Sequence, residues 1–255
     1  PASYHLIGKD ILTTHAVYWP TMLMSAGIEL PKTIFAHGWW LMKDSKMSKS
    51  LGNVIDPINL IDDFGVDPVR YYLMREMVLG KDASFTVELF KSRYNSDLAN
   101  DFGNLLSRVT TLIRKNFNGQ IPEPCDLGAE ENKIKNESSS LIKSFNQLMM
   151  EMKLNEAIEL TIKFISNVNK YMEKKAPWKF AKEDNLAAGK VLYTAAESLR
   201  INAVLLSPIM PNRTKILLDI FRAIETDENW GGLIPGTIIK DLSLIHISEP
   251  TRPLT

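Results

Sequence analysis

The sequence predicts an α/β segment followed by an all-α bundle. Three observations carry that reading. The first 85 or so residues alternate short apolar runs with helical periods. From about Phe85 onward, apolar residues recur almost throughout at helical spacing. Pro177, Pro208 and Pro211 fall between the helical stretches, where chain breaks belong. The 255 residues are 45% hydrophobic and 24% charged, which is ordinary for a globular chain and excludes disordered, collagenous and low-complexity classes. That length holds one large domain or two smaller ones.

The elements follow in order. His5-Leu6-Ile7 reads as a strand end closed by a turn at Gly8. Ile11 to Ala26 has amphipathic helical spacing, with Gly27 as a natural C-terminal cap. Thr33-Ile34-Phe35-Ala36-His37 is short, apolar and β-prone, the pattern of a buried parallel strand. Strand, helix, strand is part of an α/β nucleotide-binding sheet. A polar loop covers Lys43 to Asn53, and a helical stretch runs from Pro57 to about Met77. Inside it, Asp67-Pro68 has the form of an N-cap followed by a first-turn proline. Trp39 and Trp40 read as packing residues near the cleft.

Further on, Phe102, Leu105, Leu106, Val109, Leu112 and Ile113 follow i, i+3, i+4, i+7 spacing, and Ile121-Pro-Glu-Pro ends that helix. Helices are also expected over 130–153, 155–174, 185–206 and 211–224. Five helices with short links make an antiparallel bundle. Residues 1–84 therefore form the α/β segment and residues 85–240 the bundle. Residues 241–255 continue no pattern and carry two prolines in their last six positions. They read as a non-native tail.

Charge and special residues bound the function. Thirty Lys and Arg balance thirty Asp and Glu, so no global field draws in nucleic acid. An RNA partner must be met by local patches and shape. One patch, Lys163 to Lys190, holds seven lysines against three acids. On charge alone it is a solvated helix face. Cys125 is the only cysteine, which excludes an internal disulfide framework and a cysteine-ligated zinc knuckle. It fits a reducing compartment, the cytoplasm or the matrix of an organelle. No apolar run reaches the ~20 residues needed to cross a bilayer, so no membrane partner is expected. The start, PASYHLIGKD, lacks Met and a basic signal region and reads as a chain cut from something longer.

The strongest chemical signal is Lys46-Met47-Ser48-Lys49-Ser50, followed by Leu51-Gly52-Asn53. Two lysines three apart, spaced by Met and Ser in a polar loop, suit closure over a polyphosphate. Their ammonium groups meet charge that builds on phosphate oxygens during displacement. Ile11 and His15 are i, i+4 and share a helix face. Asn104 and Arg108 have the same spacing and sit about 120° from the middle of their helix's apolar stripe. Both are thereby available to a partner, and both are planar multi-donor groups suited to base edges. Trp178 follows Pro177 inside the lysine-rich patch. An exposed indole there would stack on an unpaired base, whereas a buried one would only pack.

These motifs resemble the methionyl family of class I aminoacyl-tRNA synthetases. The pentapeptide is the KMSKS signature of the class. His5-Leu6-Ile7-Gly8-Lys9-Asp10-Ile11, His15 and Trp19-Pro20 look like the methionyl pattern, as do Asn104-Leu105-Leu106-Ser107-Arg108 and Ala176-Pro177-Trp178. The resemblance runs from Pro1 to about Lys240. It implies the second half of a class I Rossmann-like nucleotide-binding fold followed by a helical anticodon-binding bundle. It implies Lys46 and Lys49 as catalytic residues, with Lys9, Asp10, Lys46, Ser48 and Lys49 on ATP and its Mg2+. Ile11 and His15 would line the methionine pocket. Asn104, Arg108 and Trp178 would read the anticodon of tRNA(Met). The chain departs from the family at Thr14, where an aromatic residue is usual.

The other class signature, HIGH, is absent, because no His-x-Gly-His occurs. The family's zinc-bearing insertion is absent too, so no metal site is expected. The chain is thus expected to be part of a methionine–tRNA ligase, inactive without an N-terminal catalytic half from the same gene or a separate subunit. Two other readings stay open: another class I synthetase of the aliphatic group, and a non-enzymatic tRNA-binding module.

Overall fold

A computed structural model describes residues 3–42, 45–47 and 54–240. Two strands open it. β1 (Tyr4–Gly8) and β2 (Thr33–His37) pair in parallel, with Tyr4 opposite Thr33 and Gly8 opposite His37. Between them the chain winds through a 3-10 turn (Lys9–Ile11), a π turn (Thr14–Tyr18) and α1 (Trp19–Ser25), then turns at Gly27, whose φ is +67°. Such a φ is cheap only for glycine. The expected buried strand is half-exposed instead. Little packs on this sheet among the described residues. Ile7 is buried, while Tyr4, Leu6, Val17, Tyr18, Met22 and Met24 stand exposed.

A second sheet has β3 (Trp40–Met42) at its centre, antiparallel to β4 (Ser45–Lys46) and parallel to β5 (Ala83–Ser84). Ser45 and Lys46, expected in a loop, are therefore strand. Lys46 pairs with Leu41, and the Ser45 hydroxyl closes the hairpin by donating to the Met42 carbonyl at 2.8 Å. Ser48 to Asn53 lie outside the described residues.

The helical stretch expected from Pro57 to about Met77, with a helix start read at Asp67-Pro68, is two helices, α2 (Pro57–Phe64) and α3 (Val66–Glu76). Gly65 separates them at φ +85°. Asp56 caps α2 by accepting from the Ile58 amide at 2.9 Å. Thr86 then caps α4 (Val87–Arg93), which runs without a break through a π segment (Tyr94–Gly103) into α5 (Asn104–Phe117). α5 ends at Asn118 and Gly119, with φ +52° and +76°, ahead of the prolines expected to end it. A left-handed pair satisfies terminal carbonyls directly, so the prolines are left to the following loop.

α6 (Ala129–Met150), α7 (Leu154–Lys175), α8 (Asn185–Leu206) and α9 (Pro211–Phe221) complete the helices. α8 is buried from Val191 to Leu206 and packs on α5, α6, α7 and α9, which makes it the central helix. Its fully buried charges are answered. The Glu197 carboxylate accepts from Arg200 and from the amides of Gly231, Gly232 and Leu233, and Arg200 also donates to the Asp227 and Asn229 carbonyls. This pair fastens the segment after α9 onto the bundle.

Asp67 does not cap its own helix. It is buried at 2% exposure and reaches α9, where it accepts from the Arg213 amide at 2.6 Å and from Asn212 at 3.1 Å. Met210 precedes α9 and makes no side-chain cap. Arg70, one turn on, donates to the Ile209 and Pro208 carbonyls. Two apolar cores result among the described residues. The larger joins α5 to α9 and takes in Tyr71, while the smaller joins Leu60, Val69, Tyr72, Phe85 and Phe90. No helix among the described residues is long and apolar enough to cross a membrane.

Candidate functional site

Two sites emerge from these elements. The first lies at the carboxyl ends of the parallel strands, where α/β sheets place ligand groups. Because Gly8 and His37 are in register, the residues after each strand meet. The Lys9 ammonium lies 2.5 Å from an Asp82 carboxylate oxygen and 4.2 Å from the centre of the Trp39 ring. The same oxygen accepts from the Trp39 amide at 2.8 Å. The Trp39 indole N–H donates to Asp10 at 3.4 Å. The Lys9 bond, then the Trp39 amide, hold the Asp82 carboxyl below its ordinary pKa.

Gly38 makes this convergence geometrically feasible. A Cβ there would stand 1.9 Å from the Lys81 carbonyl oxygen. Only glycine lets the turn after β2 pass so close to the Lys81–Asp82 backbone. From Trp39 the chain enters β3, whose Leu41 is paired with Lys46. Lys46 is thus attached to the same scaffold through its backbone, while Ser48 and Lys49 lie outside the described residues.

Ile11 and His15 sit one turn apart beyond Asp10. The His15 Nδ1 lies 3.0 Å from the Ile11 carbonyl, which can only accept, so this nitrogen carries the proton. Trp19 meets the rings of His15 and His5 edge-on, at 6.2 and 5.0 Å. Thr14 is exposed. Among the described residues no group of His, Cys, Asp or Glu is placed to hold a metal ion.

The second site is on the bundle. Asn104 opens α5, is exposed, and stands one turn before Arg108. The Arg108 guanidinium lies 4.9 Å over the Trp178 ring and 3.6 Å from Glu173. α7 stops at Ala176, φ +47°, because Pro177 cannot continue it, and Trp178 follows on a 3-10 turn (Pro177–Lys179). That turn leaves the indole 43% exposed, with one face toward Arg108.

The lysines beside it are not simply solvated. Lys174 and Lys175 both pair with Glu130 of α6, and Lys163 pairs with Glu159 at 2.6 Å. Lys174 first, then Lys175, bring the Glu130 carboxyl down to about 2. Burial alone would raise Glu131, but bonds from Tyr171, its own amide and Lys175 bring it below its ordinary value.

Sequence reasoning missed Asp82 and Glu173. Asp82 lies in the Gly80-Lys81-Asp82 turn, far along the chain from Lys9, and no periodicity links the two. Glu173 carries no local signal beyond its charge, because Arg108 lies on α5 and Glu173 on α7, and the two meet only when the helices fold together.

Comparison with known proteins gives a consistent picture. Residues 2–110 match the family described as tRNA synthetases class I (M), and residues 121–243 match the anticodon binding domain of methionyl tRNA ligase. The methionine–tRNA ligase of Thermotoga maritima is 42% identical over 248 residues, covering 94% of this chain and 39% of the relative. That of Rhizobium meliloti is 45% identical over 244 residues, covering 93% and 47%. Mycobacterium tuberculosis methionyl-tRNA synthetase, solved with methionyl-adenylate, superposes with a TM-score of 0.90 at 37% identity, covering 94% of this chain and 49% of that one. The chain spans less than half the length of these relatives.

Proposed function

Because the chain belongs to the methionyl family of class I tRNA synthetases, we propose that it supplies the KMSKS-bearing half of the catalytic site and the anticodon-reading bundle of a methionine–tRNA ligase. Its substrates are ATP with Mg2+, methionine and tRNA(Met). Methionine's carboxylate attacks the α-phosphate of ATP, giving methionyl-adenylate and pyrophosphate. The terminal ribose of the tRNA then takes the methionyl group. The reaction serves protein biosynthesis in a reducing compartment, cytoplasm or organellar matrix, in keeping with a single free cysteine, Cys125. No zinc site within this chain enters the proposal.

The observation that carries the reading is the meeting of Lys9, Asp10 and Trp39 at the ends of two parallel strands, on the scaffold that also bears Lys46. Lys9, Asp10, Lys46, Ser48 and Lys49 bind the nucleotide. Lys46 and Lys49 stabilise charge on its phosphates as the α-phosphate is attacked. Ile11 and His15 line the methionine pocket, where an apolar wall with a polar edge suits an unbranched thioether. Asn104, Arg108 and Trp178 read the anticodon. Residues 1–84 carry the chemistry and residues 85–240 the tRNA contacts, while residues 241–255 take no part.

The chain completes its catalytic site with an N-terminal half of the nucleotide-binding fold. The apolar residues exposed around β1 and α1, among them Leu6, Val17, Met22 and Met24, suit burial against that half. The test is methionine-dependent ATP–pyrophosphate exchange. The 255-residue chain alone should show none. Joined to the N-terminal half of the Rhizobium meliloti relative, it should exchange. Lys49→Ala in that fusion should lower the rate far more than it weakens methionine binding, by a factor matching ~2.7–4 kcal/mol. Exchange that responds to another amino acid, or equal losses of rate and affinity, would overturn the reading.

A further inference from the structure

We propose that Asp82 is a positioning residue of the cleft: its carboxylate holds the Lys9 ammonium against the Trp39 ring and fixes the Trp39 backbone at the mouth of the two-stranded sheet. The part that concerns nucleotide rests on the function proposed above. The part that concerns position rests on geometry alone. One Asp82 oxygen takes both the Lys9 ammonium, at 2.5 Å, and the Trp39 amide, at 2.8 Å. The Ala83 amide donates to the Trp39 carbonyl at 2.9 Å, so the backbone on both sides of the Trp39 ring is tied to the 82–83 segment. Gly38 is pressed on the Lys81 carbonyl, which fixes the approach of the turn that carries Trp39.

The arrangement solves a definite problem. A lysine has four rotatable side-chain bonds, and holding it in one place costs rotamer entropy. Asp82 meets that cost before any ligand arrives. The two groups remain about one-third exposed, so the ammonium stays open to a phosphate oxygen. Among the described residues, Asp82 acts through Lys9 and Trp39. A neutral carboxamide at this position would still accept from the Trp39 amide but would lose the charge that holds Lys9. The two tasks of Asp82 are therefore separable.

The test is site-resolved acetylation of Lys9 in the full 255-residue chain, using a limiting acetylating reagent and mass spectrometry, with the exposed Lys163 and Lys179 as internal references. Asp82→Asn should raise Lys9 acetylation several-fold and leave the references unchanged. Asp82→Glu should restore most of the protection, which a role in folding alone would not produce. Helical circular dichroism must match the parent in both. Unchanged Lys9 reactivity in a folded Asp82→Asn chain overturns the proposal. A second arm adds MgATP to Asp82→Asn in the fusion with the N-terminal half, where nucleotide should shield Lys9 again. Failure of that arm alone, with Lys9 freed by Asp82→Asn, tells against Lys9 as a nucleotide contact and leaves Asp82 as its positioning residue.

Discussion

Tyr71 and Tyr72, neighbours on α3, bury their rings in different cores. Tyr71 is 1% exposed and belongs to the bundle, while Tyr72 is 2% exposed and belongs to the smaller core under β3 and β5. The Tyr71 hydroxyl donates to Asp97 at 2.8 Å, and the Tyr72 hydroxyl donates to the Ser84 carbonyl at 3.2 Å. Burial, then the charge of Asp97, pushes the Tyr71 phenol well above its ordinary pKa. Burial, then Glu76, takes Tyr72 to about 12. Both phenols therefore stay protonated donors at neutral pH. One helix is sewn to two bodies of the fold by consecutive side chains.

Tyr71→Phe keeps the ring and removes the donor. Asp97 is buried at 5% exposure, so losing one partner should cost about 1–3 kcal/mol in urea unfolding. Tyr71→Ala should cost more, about 3–5 kcal/mol, because it also opens a cavity. Equal stability of parent and Tyr71→Phe would show that Ser96, whose hydroxyl donates to Asp97 at 2.6 Å, and Arg93 and Arg75, at 3.6 and 4.0 Å, suffice for that carboxylate.

A bundle fragment that begins at residue 85 should be less stable than one that begins at residue 66. The shorter piece lacks Tyr71 from the larger core and Asp67 and Arg70 from the start of α9. Loss of a helix cap alone is worth about 0.5–2 kcal/mol. Amide exchange should locate the damage, with the Arg213 amide losing protection first. Matching protection in the two fragments would refute this.

Trp178→Ala should weaken binding of tRNA with a CAU anticodon by about 1–3 kcal/mol and reduce discrimination against changed anticodons. The motive is a ring 43% open to solvent with Arg108 over one face. If the folded variant discriminates as well as the parent, the indole serves packing only.

Glu130 should mark the acid limit of the α6–α7 contact. Its folded pKa, about 2, lies below that of an unfolded carboxylate. Its pairs with Lys174 and Lys175 thus contribute fully above the ordinary carboxylate range and are lost as pH falls toward 2. Melting temperature should drop over that interval, and Glu130→Gln should make the drop shallower. An unchanged slope in Glu130→Gln would assign acid sensitivity to other carboxylates.

Helical periodicity was enough to find α5 to α9, because each buries an apolar face whose spacing is written in neighbouring residues. Strand order from β1 to β2 was legible for the same reason. What escaped were partnerships between distant segments. Asp67-Pro68 has the local form of a helix cap, yet its carboxylate serves α9, some 145 positions on. Asn118 ends α5 through left-handed backbone, outranking Pro122 and Pro124, which look like stronger stops, and Gly65 at φ +85° parts α2 from α3. In the cleft, Lys9 and Asp10 were visible in a contiguous motif, but Asp82, which holds Lys9, shares no motif with it. Lys174 and Lys175 read as solvated because Glu130 reaches them only after α6 folds back on α7.

The π segment from Tyr94 to Gly103 sets the phase of the long rod from Val87 to Phe117. A π turn is an α-helix with a residue too many, and each residue carries about 100° of rotation. The azimuth at which Asn104 and Arg108 leave the rod is therefore counted in residues, starting from the Thr86 cap. Deleting one residue from the α-helical stretch before it, Val87–Arg93, would swing both side chains about 100° around the axis and carry Arg108 off the Trp178 ring. The alignment of those two residues is thus a matter of counting, and a one-residue deletion should be tolerated best within these ten positions, where a return to α winding takes up the loss.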